Sequence, residues 1–191
     1  MFSLRADDEV SIELAEAHHA AEIFALVDRN REHLRRWLPW VDGTRTVEDS
    51  AAFLVFIRAE YAAGRNFHAN LRYRGAMVGG IGMRFDRMHF KGEVGYWLDA
   101  GHEGRGIVTR ATRALTATAF AEFGLVRVGL HAAVDNTRSR AVAERLGFTY
   151  EGVLRRNEKV GDRWLDHAVY AAFAGEWPAP DTLRGNDSAG A

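Results

Sequence analysis

The sequence predicts a mixed α/β sandwich: helices first, then a strand meander, then a β-α-β-α-β-β run. Three observations predict it. Apolar residues recur at helical spacing from Glu13 to Ala63. The period then changes to strand-like alternation at Phe67, Ala69, Leu71 and Tyr73. From Glu93 onward, strand-like and helix-like segments take turns, as strand-helix crossovers require.

The elements follow in order. Glu13 to Leu38 reads as helical, with Ala17, Ala20, Ala21, Phe24 and Val27 on one face, and Pro39 disfavours helical geometry at Leu38. A second helix runs from Val47 to Ala63; its expected core face is Ala52, Phe53, Phe56 and Ile57, and Gly64 stops it. Phe67 to Tyr73 is a half-buried strand, and Arg74-Gly75 is a tight turn. Met77 to Phe85 returns antiparallel, with Gly79, Gly80 and Gly82 marking a bulge or a close backbone approach. Glu93 to Leu98 is a third strand, and Gly101 to Gly106 a glycine-rich loop. Ile107, Ala111, Leu115 and Ala119 mark the next helix face. A strand at Val126–Val134, a helix at Asn136–Leu146, a strand at Phe148–Leu154 and a last strand at Trp164–Phe173 complete the order. No repeat of 20–50 residues stands out. The chain of 191 residues fits a single domain over 1–177, and the small, polar stretch 178–191 reads as a disordered tail.

Composition narrows the function. Lys plus Arg total 25 against 26 Asp plus Glu, a net charge of -1, which argues against a nucleic-acid binder. With no cysteine, a disulfide scaffold, a thiolate zinc site and a cysteine nucleophile are excluded. His18 and His19 lack further ligands, so no metal site is expected. No apolar run reaches the ~18 residues of a membrane span, so no membrane partner is expected. MFSLRADDEV does not read as a signal peptide, and the expected setting is the cytoplasm.

The segment from Tyr96 to Thr109 (YWLDAGHEGRGIVT) is the most informative. A strand ends, a glycine-rich turn follows and a helix begins at once. Free N–H groups at a helix start can hold a phosphate, and Gly104 and Gly106 let the backbone approach it. Arg105, Arg110 and Arg113, then Arg138 and Arg140, crowd two helix starts where cations oppose the macrodipole. An anionic ligand would offset that cost; the bland alternative is solvated surface arginines. The glycine order does not fit G-x-G-x-x-G, and no Gly-Lys-Ser/Thr is present.

HEGRGIVT resembles the pyrophosphate-binding turn of the GCN5-related N-acetyltransferases (GNAT), whose pattern is Gln/Arg-x-x-Gly-x-Gly/Ala. EVGYWL before it, VDNTRSRAVAERLGFTYEG after it and NREHLRRWLPW near the start resemble the RimJ/RimL subgroup of ribosomal-protein N-terminal acetyltransferases. The resemblance covers Leu14 to Phe173. Glu103 stands where Gln or Arg is usual, and Val108 where Gly or Ala is usual. The resemblance implies a central mixed, mostly antiparallel sheet with splayed central strands flanked by helices. It implies acetyl-CoA as cosubstrate, with the pantetheine arm between Glu93–Leu98 and Val126–Val134. Backbone groups of Trp97 and Leu98 would hold that arm. The turn Glu103, Gly104, Arg105, Gly106, Ile107, Val108 and Thr109 would hold the pyrophosphate, with Arg105 compensating Glu103. Asn136 and Arg140 would add cofactor contacts, and Trp37 and Trp40 would line the acceptor entrance. A homodimer is also implied.

Acetyl transfer needs a neutral amine, a polarised carbonyl and a protonated leaving thiolate. Ser139 is the candidate acid, three residues after Asn136; the alternative is a helix-start serine bonding the backbone. Glu158 in RRNEKVGDR matches the position of a base proposed in the RimL-type enzymes; the alternative is a loop carboxylate paired with Arg155, Arg156 or Lys159. Tyr150 reads as a core strand aromatic, His102 as a loop histidine, and His131 and His167 as structural strand residues. Arg29, Arg31, Arg35 and Arg36 read as a solvated face, or as an attractor of an acidic acceptor. The function expected is acetyl transfer to a protein N-terminal amine. The alternatives are a small-molecule amine acceptor, a succinyl-type donor, and a non-catalytic acyl-CoA-binding regulator.

Overall fold

A computed structural model of the chain describes residues 3–178, so the expected tail lies outside the described residues apart from Pro178. Eight strands form one sheet in the order β1-β2-β3-β4-β5-β6-β8-β7. They are β1 (Ser3–Arg5), β2 (Val10–Leu14), β3 (Asn66–Tyr73), β4 (Ala76–Asp86), β5 (Lys91–Leu98), β6 (Arg127–Ala133), β7 (Thr149–Val160) and β8 (Arg163–Phe173). The helices are α1 (Ala20–Arg29), α2 (Arg31–Leu34), α3 (Val47–Ala62), α4 (Ile107–Ala121) and α5 (Thr137–Arg145). Among the described residues, only β5 and β6 pair in parallel, and every other pairing is antiparallel.

The first expected helix is corrected at its start. Glu13 and Leu14 close strand β2, in which Val10 and Ile12 are buried while Ser11 and Glu13 are not. That alternation of period two packs one face of an edge hairpin onto the core. Helix begins only at Ala17, as a short 3-10 turn, and a break at Asn30 separates α1 from α2.

Helix α3 starts where Thr46 and Asp49 form a capping box: Asp49 N donates to Thr46 Oγ1 at 3.3 Å, and Thr46 N donates to Asp49 Oδ2 at 2.9 Å. Its buried face is Ser50, Leu54 and Ile57, packed on Ala20 and Ile23. Ala52, Phe53 and Phe56, three of the four expected core residues, are exposed. The helix is apolar on every face, so periodicity alone could not choose the stripe.

Other expectations hold. Arg74 and Gly75, at φ 51° and 85°, make the two-residue turn between β3 and β4. The register between those strands slips at Leu71/Arg72, a bulge. A Cβ on Gly79 would collide with the Trp97 carbonyl, so glycine permits β4 to lie against β5 there. Ile107, Ala111, Leu115 and Ala119 of α4 are all buried, against Val94, Val128, Leu130 and Tyr170 of the sheet.

Strand β7 runs six residues past its expected end at Leu154. Tyr150 is exposed on it, 54%, and leans on Tyr170, so it is not a core residue. Between Leu154↔His167 and Glu158↔Leu165, three residues of β7 oppose the single Asp166. The Asp166 carboxylate holds that excursion by accepting from Arg156 N at 2.7 Å, with Arg156 at φ 48°. Glu158 therefore sits in a strand, not in a loop.

Candidate active site

The two parallel strands part in the middle of the sheet. Their pairing ends at Val94↔Leu130, yet β5 continues to Leu98 beside β4, and β6 continues to Ala133 beside β8. A cleft of about 1220 Å³ opens at that fork. Side-chain alternation sorts its walls. Val94, Tyr96 and Leu98 belong to the core under α4, whereas Trp97 packs on Val27, Leu34 and Val41 of the opposite face.

On the α4–α5 side, the wall is mostly backbone. Gly104 and Gly106 hold φ values of 75° and 68°, a conformation that costs residues with a Cβ. Gly106 is the N-cap of α4 and offers no side chain, so the first amides of the helix keep no cap from that residue. The turn is anchored from below. Asn30 Nδ2 donates to Asp99 Oδ1 at 2.6 Å, Ala100 N donates to Asn30 Oδ1 at 3.0 Å, and His102 Nδ1 lies 2.5 Å from Asp99 Oδ2. Burial alone would raise the Asp99 carboxyl, but the His102 and Asn30 bonds and the Arg29 charge outweigh it and hold it low. His102 is thus a structural part of the turn.

The charges are arranged differently from expectation. Glu103 is compensated by Arg138, with which it forms an ion pair, and by His33 Nε2 at 3.3 Å, rather than by Arg105. Arg110 is bound by Asp7 at 2.8 Å and by Glu9 at 3.1 Å. Arg105, Arg113 and Arg145 line the cleft, and among the described residues no carboxylate stands within ion-pair distance of them. Arg140 points away: it donates to Tyr170 Oη at 3.0 Å and to the Val134 carbonyl at 3.2 Å, outside the cleft lining.

At the fork, Asn136 caps α5 by accepting from Ser139 N at 3.2 Å. Ser139 Oγ lies 2.9 Å from the hydroxyl of Tyr96, a residue the sequence reading passed over. Burial pushes the Tyr96 phenol up to about 12, against the opposing effect of the Ser139 bond, so it stays protonated at neutral pH. Both hydroxyls adjoin the cleft.

The opposite wall is made of side chains from three strands, with Glu93 of β5 behind them. Glu158 Oε2 lies 3.7 Å from His167 Nε2, and His131 Nδ1 lies 3.7 Å from Glu93 Oε1. Glu158, His167 and His131 line the cleft. Burial first, and the Glu93 charge second, raise the Glu158 carboxyl above its ordinary value. Burial first, and His131 second, lower the His167 imidazole. Asn157 Nδ2 lies 3.0 Å from His167 Nδ1; an amide nitrogen donates, so the ring hydrogen sits on Nε2 and faces Glu158. No ion pair joins Glu158 to Arg155, Arg156 or Lys159 among the described residues.

Trp37 lines the cleft and packs on Ala133, Val160 and Leu165, whereas Trp40 lies outside the lining and packs edge-on against Trp97 at 6.1 Å. Arg31 is structural, donating to the carbonyls of Val41 and Thr44 at 2.6 and 2.7 Å. Sequence reasoning missed Tyr96 and Glu93, and it treated His131 and His167 as framework. Only the EVGYWL motif carried a local signal, through the alternation that puts Tyr96 beside α5.

The chain as a whole is similar to known proteins. The family model "Acetyltransferase (GNAT) domain" matches residues 10–149. "Putative ribosomal N-acetyltransferase YdaF" of Bacillus subtilis (strain 168) is 34% identical over 93% of this chain and 98% of its own length. The "Ribosomal-protein-serine acetyltransferase" of Escherichia coli (strain K12) is 27% identical over 88% of this chain and 95% of its own. The structure of the microcin C7 self-immunity acetyltransferase MccE, in complex with acetyl-CoA and AMP, superposes with a TM-score of 0.83 at 26% identity, covering 88% of this chain and 94% of that one. This chain belongs to the GNAT acetyltransferase family and is an acyltransferase.

Proposed function

We propose that the protein moves an acetyl group from acetyl-CoA to the α-amine of a protein N-terminus, of the kind ribosomal proteins carry. The observation that carries this reading is the fork itself: one cleft joins a hydroxyl pair on one face of the sheet to a carboxylate–histidine pair on the other. The names of the relatives support a ribosomal-protein acceptor, and a cytoplasmic setting goes with that reading. The homodimer rests on the family resemblance, and light scattering at twice the chain mass tests it.

The donor side fits a diphosphate-bearing thioester. The amides of Gly104 to Thr109 hold the pyrophosphate, helped by Arg105, Arg113 and Arg145. The unpaired edge of Trp97 and Leu98 holds the pantetheine arm as an added strand would. Acetyl-CoA supplies an activated carbonyl carbon. The amine nitrogen attacks that carbon, forming the C–N bond while the carbonyl pair moves to oxygen. Glu158, whose carboxyl burial and the Glu93 charge raise above its ordinary value, takes a proton from the amine. As the C–S bond breaks, its electrons stay on sulfur, and the Ser139 hydroxyl, backed by Tyr96, protonates the thiolate.

A thermal shift with acetyl-CoA, against ATP and NAD, is the first test. At 100 times its dissociation constant the ligand should add ~2.7 kcal/mol, or roughly 5–10 °C for a chain of this size. Thiol release with N-terminal peptides, compared with small amines, then reads the acceptor. No shift with acetyl-CoA would overturn the donor assignment, and faster thiol release with small amines would overturn the acceptor.

A further inference from the structure

Acetyl transfer to an amine that arrives protonated removes two protons from its nitrogen. An α-amine, with a pKa of ~7.7–8.0, arrives largely as ammonium at pH 7. It must lose one proton before it can attack and a second once the C–N bond has formed. One proton goes back to the thiolate, so each turnover releases one net proton: RNH3+ plus acetyl thioester gives acetamide, thiol and H+. His167 is badly placed to carry that proton away. It is buried, its side chain 11% exposed, and its Nδ1 is already engaged by Asn157.

We propose that His131, backed by Glu93, is a second proton acceptor at the amine: it takes the proton that turns the incoming ammonium into a free amine, leaving Glu158 for the proton lost on attack. This rests on the acetyl-transfer reading above. His131 is the first residue of β6 past its last pairing with β5 at Leu130, so nothing in the sheet covers it on that edge. It shares the sheet face of Ala133, His167 and Glu158, and it lines the cleft. Glu93 does not line the cleft; it stands behind the ring at 3.7 Å and is itself held by Arg84 at 2.8 Å.

The charged groups around the ring are few. Glu93 faces it from β5 with Arg84 of β4 bound to that carboxylate, His167 from β8 and Glu151 from β7, while Glu158 of β7 shares its sheet face. Glu151 is neutralised by Arg127 at 2.5 Å, and Glu93 by Arg84, so Glu158 is the one carboxylate of the set without an arginine partner among the described residues. His131 side chain is 24% exposed, open enough to pass its proton to water in the cleft between turnovers.

The test is kcat/KM against pH for one N-terminal peptide, from pH 6.5 to 9.5, in wild type, His131→Gln and Glu93→Gln. His131→Gln should lose at least ~100-fold at pH 6.5, the low end for a general base, and recover to within about threefold of wild type at pH 9.5, where the amine arrives neutral. Glu93→Gln should show the same slope with a smaller loss. CoA affinity by calorimetry should be unchanged in both. A loss equal at both ends of the range, or no loss, overturns the proposal, because a structural role would not follow the protonation state of the amine. If His131→Gln melts early, Glu93→Gln carries the test by the same criterion. A wild-type chain that releases no thiol with any amine overturns the acetyl-transfer reading and this inference together. Normal turnover with a flat variant-to-wild-type ratio overturns this inference alone.

Discussion

Along the α4–α5 side of the cleft, the chain presents main-chain groups from one continuous stretch, Trp97 to Thr109, shaped by Gly104 and Gly106. Along the other side it presents imidazoles and a carboxylate from β6, β7 and β8, residues 131 to 167, with Glu93 of β5 behind them. A backbone wall tolerates side-chain change but not conformational change. A side-chain wall behaves the other way, since each group acts through its own ionisation. The two walls should therefore fail to different kinds of substitution.

The largest effects test the groups at the fork. Glu158→Gln should lower kcat by ~10²–10⁴-fold, the range for a positioned proton-transfer group, with CoA affinity unchanged. Ser139→Ala should fall in the same range if Ser139 protonates the thiolate, while Tyr96→Phe, which keeps the ring and loses the backing hydroxyl, should lose less. Turnover that survives both Glu158→Gln and Ser139→Ala would break the assignment of both walls.

The backbone wall is probed next. Gly106→Val puts a β-branched residue at φ 68°, a strain of about 1–3 kcal/mol. Calorimetry should show CoA binding weakened ~5- to 150-fold where that strain falls on the bound turn, with a melting point lower by a few degrees. Gly43→Ala, at a glycine without positive φ and with open space around it, is the control and should change neither.

The same contrast explains what the sequence could tell. The donor turn was legible because its physics is local: glycines at Gly104 and Gly106, then an apolar period through Ile107, Ala111, Leu115 and Ala119, lie within one short segment. The acceptor wall was not. His131 and His167 look like any strand histidines until β6 and β8 pair and β5 departs. Glu158 was located by family resemblance, but its strand position depends on the excursion at Arg156, which no periodicity announces. Helix α3 shows the converse limit, since a segment apolar all round has no stripe to read and its burial is decided by α1. Strand β2 was legible, since Val10-Ser11-Ile12-Glu13 alternates cleanly, but its last two residues read as the start of the following helix and the first three as no element.

Glu103 belongs to the backbone wall yet acts through charge, so it sharpens the comparison. Its carboxylate occupies Arg138 and His33 at the mouth of the anion turn. Glu103→Gln should free Arg138 for the pyrophosphate and tighten CoA about two- to fivefold, an ion-pair effect below ~1 kcal/mol. The gain should shrink as salt rises, because exposed charges are screened. Weaker CoA binding in Glu103→Gln would mean that the carboxylate instead orders the turn.

The smallest effect concerns stability, and its sign is opposite on the two walls. Asp99, under the backbone wall, has a carboxyl held below its ordinary value of 3.8, despite burial, by His102, Asn30 and Arg29. It adds stability above that value, and the contribution is lost as pH falls through the depressed one. Glu158, on the side-chain wall, has a carboxyl raised above 4.5, by burial first and Glu93 second. The folded chain thus holds that proton more tightly than the unfolded chain. The stability this adds is present below 4.5 and is lost as pH rises through the raised value, so at neutral pH the ionised carboxylate works against folding. Its side chain is 38% exposed, and solvent screening keeps the effect small. Glu158→Gln should accordingly melt level with wild type or up to ~2 °C above it at pH 7, with the difference gone at pH 4. Asp99→Asn should melt below wild type at pH 7, by a margin that narrows as the pH falls. A Glu158→Gln variant that melts well below wild type at neutral pH would make the carboxylate a structural member of β7 and remove the ground for reading it as the base.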